Sequence, residues 1–274
     1  MGGAMTYRRL RPGIAALSRQ VAAARRVFQP EGALPQALLI GAQKAGTTSL
    51  FRAIAAHSAI TPARQKEIHF FDENWSRGES WYRRSFPAGD FGFEATPAYL
   101  FHPHAARRAA EMVPHARLIV VLRDPVARAM SHHRYETRRG YETLPFAAAL
   151  AAEARRTDAA WAACLRDPAA WNSALKRHSY LRRGQYAEQI ARWRAHFPAE
   201  QMLILEDRDL HSAPGPTLKR VFAHLGLPAE DVPFGRANAT TPAPPRHDPA
   251  LYAHFAADGA ALTRAVGARF SWLA

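Results

Sequence analysis

Short apolar runs recur along the chain, separated by longer amphipathic stretches. Ala37–Ile40 is apolar and ends at Gly41; Phe91–Ala95, Leu118–Leu122 and Met202–Leu205 repeat the pattern. Such runs, with little polar alternation, predict strands covered on both faces. Between them the period lengthens to that of a helix. Thr47–His57 follows the first run, and Pro125 suits the first turn of a helix after the third, where its missing N–H costs nothing. Tyr186, Ile190, Trp193 and Phe197 share one face of a helix over Gln185–Phe197. Thr217–Leu225 is another, closed by Gly226 and Pro228. Residues 233–249 hold five prolines and predict a loop before a last helix, Pro249–Val266. Strands alternating with helices predict an α/β domain with a central parallel sheet flanked by helices in three layers.

A length of 274 residues fits one large domain, assigned to residues 34–274. Residues 1–33 read as a basic extension. Arg8, Arg9, Arg11, Arg19, Arg25 and Arg26 face a single acid, Glu31, and Ile14, Leu17, Val21 and Phe28 form a thin apolar stripe. Residues 8–28 are therefore either a helix on an anionic membrane surface or a solvated helix packed on the domain. The single cysteine, Cys164, allows no internal disulfide. No apolar run is long enough to span a membrane and no secretory signal core is evident, so the expected location is cytoplasmic. The formal charge of +14 favours anionic partners without choosing among them. The joint abundance of alanine and arginine resembles that of GC-rich bacteria.

Three constellations carry chemistry. The first is Gly41-Ala42-Gln43-Lys44-Ala45-Gly46-Thr47-Thr48-Ser49, directly after the first strand. Strand, glycine-bearing turn and helix N-terminus make an anion site, because open backbone N–H groups and the helix dipole both favour negative charge. Thr47, Thr48 and Ser49 add hydroxyls, and Lys44 adds a point charge. The segment is P-loop-like without the Gly-Lys-Ser/Thr ending of nucleoside triphosphatases. The second is Arg123 with Ser131, where a strand's C-terminal edge meets the ligand crevice of an open α/β sheet. They suit a separate phosphate, although an Arg123–Asp124 pair is the plainer alternative. The third is Lys66-Glu67-Ile68-His69-Phe70-Phe71-Asp72, in which Glu67 and His69 share a face of an extended chain. They are either an acid–base pair or a surface Lys66–Glu67 pair beside a packed histidine.

In this order and spacing, the three segments resemble the sulfotransferases that use 3′-phosphoadenosine 5′-phosphosulfate (PAPS). The likeness is to the branch of heparan sulfate N- and O-sulfotransferases and their bacterial relatives. It extends over residues 35–273 and includes the tail Gly267-Ala268-Arg269-Phe270-Ser271-Trp272. The resemblance implies that the loop, from Gln43 and Lys44 through Ala45, Gly46, Thr47 and Thr48 to Ser49, binds the 5′-phosphosulfate. It implies that Arg123 and Ser131 bind the 3′-phosphate and that Glu67 is the catalytic base. Tyr186, in Gly184-Gln185-Tyr186, and Arg246 are implied as further nucleotide contacts. No metal is implied. One departure stands out: where O-sulfotransferase relatives carry a catalytic lysine, in the segment Glu94-Ala95-Thr96-Pro97-Ala98-Tyr99, this chain has Ala95.

On this reading Lys44 stabilises charge on the leaving oxygen, and Glu67, assisted or oriented by His69, takes the acceptor's proton during in-line transfer. The rivals are a P-loop kinase or NTPase, which lacks its motif ending here, and a basic nucleic-acid-binding protein, which explains the charge but not the loop. The acceptor, a glycan or a small metabolite, is set by loops that composition does not resolve. The basic residues of 134–139 and 155–156 permit an acidic glycan.

Overall fold

The computed structural model describes residues 32–235 and 248–273. Residues 8–28 and Arg246 lie outside the described residues. Among the described residues, five parallel strands form one sheet: β1 (Ala37–Gly41), β2 (Thr61–Pro62), β3 (Gly92–Ala95), β4 (Arg117–Leu122) and β5 (Met202–Glu206). Their order is β2-β3-β1-β4-β5, and every pairing is parallel. The apolar runs lie where their burial requires. All of β1 is buried, and Leu118–Leu122 of β4 are fully inaccessible.

The edge strand β2 has no signature in the sequence, being two residues long and containing a proline. Thr61 and Ala63 donate their N–H groups to Phe91 and Phe93, so Pro62, which has none to give, sits at the outward-facing position. The expected helices form with small shifts at their ends. They are α1 (Thr47–Ala55), α4 (Pro125–Arg138), α8 (Tyr186–Arg194), α10 (Pro214–Leu225) and α11 (Pro249–Val266). The periodicity did not disclose α2 (Gly78–Arg83), α3 (Ala105–Met112), α5 (Phe146–Ala151), α6 (Glu153–Arg166), α7 (Ser173–His178) or α9 (Asp207–Ser212). Most of these are short, and α3 and α6 are dominated by alanine and arginine, which blur an apolar stripe. No described helix is long and apolar enough to cross a membrane.

The topology decides where a ligand can sit. After β1 the chain runs to the edge strand β2 and returns inward as β3 beside β1, then crosses to β4 and β5 on the other side. The reversal lies between β1 and β4, so the helices leaving these two strands diverge and open a crevice at the strands' C-terminal ends. The loop after β1 carries Lys44, and Arg123 follows β4. The helices are also tied to each other across the chain: Asp258 of α11 accepts the N–H groups of Tyr186 and Ala187, capping α8 from outside.

Candidate active site

The chain leaves β1 at Gly41 and enters α1 at Thr47. In the turn, Lys44 and Gly46 adopt positive φ angles of 74° and 82°. For Gly46, the N-cap of α1, this conformation is free of a Cβ penalty; Lys44 is held in it by the turn. Gly46 brings no capping side chain, so the first amides of α1 remain open to an anion. Gln43, Lys44, Gly46, Thr47, Thr48 and Ser49 all line one cleft of about 750 Å³. The Lys44 ammonium lies 4.2 Å above the ring of Tyr135. Burial, reinforced by Arg138, pushes its pKa down to about 8.

Arg123 lines the same cleft from the end of β4. Its Nη1 donates to the carbonyl of Lys44 at 3.1 Å, and its Nε lies 3.3 Å from Asp207 Oδ2. The alternative pair with Asp124 does not form. Asp124 accepts from Val126 and Ala127 as the N-cap of α4 and takes the Tyr252 hydroxyl at 2.7 Å. Burial raises the pKa of Asp207 to about 6 despite Arg123. Ser131 faces the cleft from α4. The loop, Arg123 and Ser131 therefore converge, as the crevice between β1 and β4 requires.

Glu67 and His69 also face this cleft. Glu67 accepts from Lys66 Nζ at 3.2 Å and lies 3.3 Å from His69 Nε2. On the far side of the ring, His69 Nδ1 lies 2.8 Å from Asp72 Oδ2. The imidazole thus bridges two carboxylates. Burial opposes its charge, but Asp72 and Glu67 outweigh that and hold its pKa well above the usual histidine range. For Glu67, burial pushes upward, yet His69 and Lys66 bring its pKa down to about 2. The pair is an ionised carboxylate beside an imidazolium at neutral pH. His69, Asp72 and Glu73 bring ligand-type atoms within 4.8 Å of one another.

A buried network holds this segment in place. Glu94, the third residue of β3, is fully buried and accepts from the hydroxyls of Tyr82, Thr96 and Tyr99. Thr96 Oγ1 in turn accepts the backbone N–H groups of Ile68 at 3.2 Å and His69 at 3.4 Å, and Tyr99 accepts that of Phe70 at 2.8 Å. His69 has a positive φ of 55°, a conformation that such over-determination maintains.

Other expected residues sit differently. Ala45 is fully buried behind the loop. Tyr186 is also buried and does not line the cleft; its hydroxyl donates to the Arg123 carbonyl at 2.8 Å, so it reaches the site only through that residue. Ala95 is buried in β3 and presents nothing to the cleft, although Pro97 and Ala98 do. Of the basic clusters, Arg134 and Arg139 line the cleft, whereas Arg156 is committed to Glu142 at 2.7 Å. Cleft residues not foreseen include Glu73, Tyr135, Trp171, Lys176, Arg183 and Asp207. They come from α4, α7 and α9 and from the connections after β2, before α7 and before α8, and no local spacing marks them. Seven lysines and arginines face four carboxylates in the cleft.

A family model for the sulfotransferase domain matches residues 34–239. The chain belongs to the sulfotransferase family. It is accordingly an enzyme, and the kinase and nucleic-acid readings are set aside. It is 34 % identical over 202 residues to mouse heparan sulfate glucosamine 3-O-sulfotransferase 3B1, covering 71 % of this chain and 46 % of that protein. It is 35 % identical over 205 residues to human bifunctional heparan sulfate N-deacetylase/N-sulfotransferase 3, covering 71 % and 22 %. The chain thus spans less than half the length of these curated relatives. Among solved structures, a sulfotransferase from Alicyclobacillus acidocaldarius superposes with a TM-score of 0.71 at 28 % identity, covering 88 % of this chain and 99 % of that one.

Proposed function

We propose that this sulfotransferase moves a sulfuryl group from PAPS to a hydroxyl or amine, with a carbohydrate acceptor favoured by its similarity to two heparan sulfate enzymes. The supporting observation is the convergence of two separate anion stations in one cleft with a carboxylate. One is Lys44 with the N-terminus of α1; the other is Arg123 with Ser131. PAPS carries phosphates on both sides of one ribose, which two stations suit and a single triphosphate chain does not.

On this reading the loop amides and Lys44 hold the bridging oxygen as negative charge builds on it. The bond from sulfur to that oxygen breaks, a bond from sulfur to the acceptor atom forms, and the acceptor's proton passes to Glu67. A carboxylate held near pKa 2 is a weak base, but the acceptor atom becomes strongly acidic as its bond to sulfur forms, so the transfer runs downhill late in the step. His69 and Asp72 orient Glu67 and keep the site's charge balanced. No metal enters this scheme; a protonated His69 supplies the positive charge beside the base.

The test is transfer of labelled sulfate from PAPS by wild type and Glu67→Gln over carbohydrate and small hydroxylated acceptors. The variant should bind adenosine 3′,5′-bisphosphate normally and lose about a hundred- to ten-thousand-fold in turnover. Turnover within about threefold of wild type, far inside that general-base range, rules out Glu67 as the base.

A further inference from the structure

Arg183 is a buried cation that makes no direct ion pair among the described residues. It lies in the turn Arg182–Gly184 that leads into α8, is 3 % exposed, and lines the cleft. Among the described residues no carboxylate forms an ion pair with it. Its one hydrogen bond to protein runs from Nη2 to the Leu175 carbonyl at 3.5 Å, and its Nε has no partner. The guanidinium lies 4.4 Å from the centre of the Phe101 ring and 5.9 Å from that of Trp171. Trp171 also lines the cleft, and its buried indole Nε1 lacks an acceptor too. Two unsatisfied donors thus meet on one wall. Such groups are costly to bury and are normally matched by an acceptor.

The fold leaves Arg183 little freedom to move outward. Its neighbour Gly184 is packed so tightly that an added Cβ would stand 2.8 Å from Phe255 and 3.0 Å from Pro125. Burial, and then Arg128, pushes its pKa down to about 9 against the opposing pull of Asp72, Glu136 and Glu67, which act on it without a direct ion pair and leave it charged at neutral pH. Its position is on the side of the proposed base. Leu175 precedes Lys176, Lys176 pairs with Glu73 at 2.8 Å, and Glu73 lies 3.7 Å from His69. The two stations assigned to the nucleotide use other residues of the cleft.

We propose that Arg183, with the Trp171 indole beside it, is a third anion station that binds a carboxylate or sulfate carried by the acceptor next to the atom that is sulfated. This rests on the sulfotransferase reading above and adds to it a recognition residue for the acceptor. The planar guanidinium, backed by Phe101, presents paired donors suited to a two-oxygen anion. The anion supplies the direct partner that Asp72, Glu136 and Glu67 do not, so an acidic acceptor is selected over a neutral one of the same shape.

The experiment uses the full chain saturated with adenosine 3′,5′-bisphosphate, titrated with methyl β-D-glucuronide and with methyl β-D-glucoside, in wild type, Arg183→Met and Arg183→Lys. Wild type should favour the glucuronide by about tenfold or more, as one charge-assisted contact predicts. The Met variant should lose that preference to within about twofold, and the Lys variant should keep part of it. The bisphosphate should bind all three alike. Without ligands, the Met variant should melt no lower than wild type, since it removes a buried charge that has no direct ion pair. A glucuronide preference that survives in the Met variant, or is absent from wild type, overturns the proposal. A Met variant that melts far lower while keeping the preference makes Arg183 a packing residue. If the loss falls instead on the preference for PAPS over the bisphosphate, the anion is the transferred group and the acceptor assignment fails. If wild type does not bind the bisphosphate, the nucleotide reading fails, and the glucuronide titration of the free protein still decides Arg183.

Discussion

Lys44 shows how one residue's surroundings set its working range. Burial among Arg138, Arg123 and Arg128 lowers its pKa to about 8, because each neighbour disfavours a further positive charge. In the proposed mechanism the charged form is the one that stabilises the leaving oxygen, so activity that depends on it is lost as pH rises through that value. The rate constant kcat/KM for PAPS, which reports the free enzyme, should therefore fall on an alkaline limb centred near pH 8. With the anionic donor bound the same group is held protonated, and the limb in kcat should move upward. Lys44→Arg should abolish the limb, whatever its absolute rate, because a guanidinium does not titrate in that range. An unchanged limb in Lys44→Arg assigns it to another group.

At the scale of elements, β3 acts on a loop distant in sequence. Glu94 reaches Ile68, His69 and Phe70 only through the hydroxyls of Thr96 and Tyr99, so a buried strand residue orients the segment that carries the proposed base. Glu94→Gln places amide hydrogens against hydroxyl donors and should cost about 1–3 kcal/mol of stability. It should lower kcat while leaving adenosine 3′,5′-bisphosphate affinity unchanged. Burial raises the Glu94 pKa from 4.5 to about 7, against the three hydroxyls. A raised carboxyl favours its neutral form in the fold, so stability from this group falls as pH rises from about 4.5 to about 7. Chemical denaturation across that window should show a steeper fall in wild type than in Glu94→Gln, where other raised groups such as Asp207 still contribute. Equal slopes, or an unchanged kcat, would refute the orienting role.

For the whole molecule, the proposed nucleotide would join parts of the chain that the sheet brings together from far apart. A ligand bound only by the folded state at a hundred times its dissociation constant stabilises by about 2.7 kcal/mol, which for a domain of this size is a melting shift of about 5–10 °C. Adenosine 3′,5′-bisphosphate should give a larger shift than adenosine 5′-phosphate at equal concentration, since only the former occupies both stations. In Arg123→Ala the two shifts should converge. Thermal melts with each nucleotide check this, and a persistent difference in the variant would mean that Arg123 does not read the 3′-phosphate.

Much of the site was legible because its chemistry is local. The turn from Gln43 to Ser49 lies between a strand and a helix, Arg123 and Ser131 sit at a strand end and on the helix after it, and Glu67 is two residues from His69. Short-range geometry of this kind follows from backbone periodicity, so sequence alone determined the α/β class and marked the turn as a candidate anion site, whereas Glu67 was singled out as a candidate base by the family resemblance. What it did not determine depends on contacts between remote segments. The choice of Asp207 rather than Asp124 as the partner of Arg123 is made by β5 lying beside β4. The burial of Tyr186 behind Arg123 is made by the packing of α8. The unpaired charge of Arg183 is invisible in Arg182-Arg183-Gly184, where it looks like any surface arginine. Only the tertiary structure buries it against Phe101 and Trp171, and burial is what turns a solvated cation into one that requires an anion.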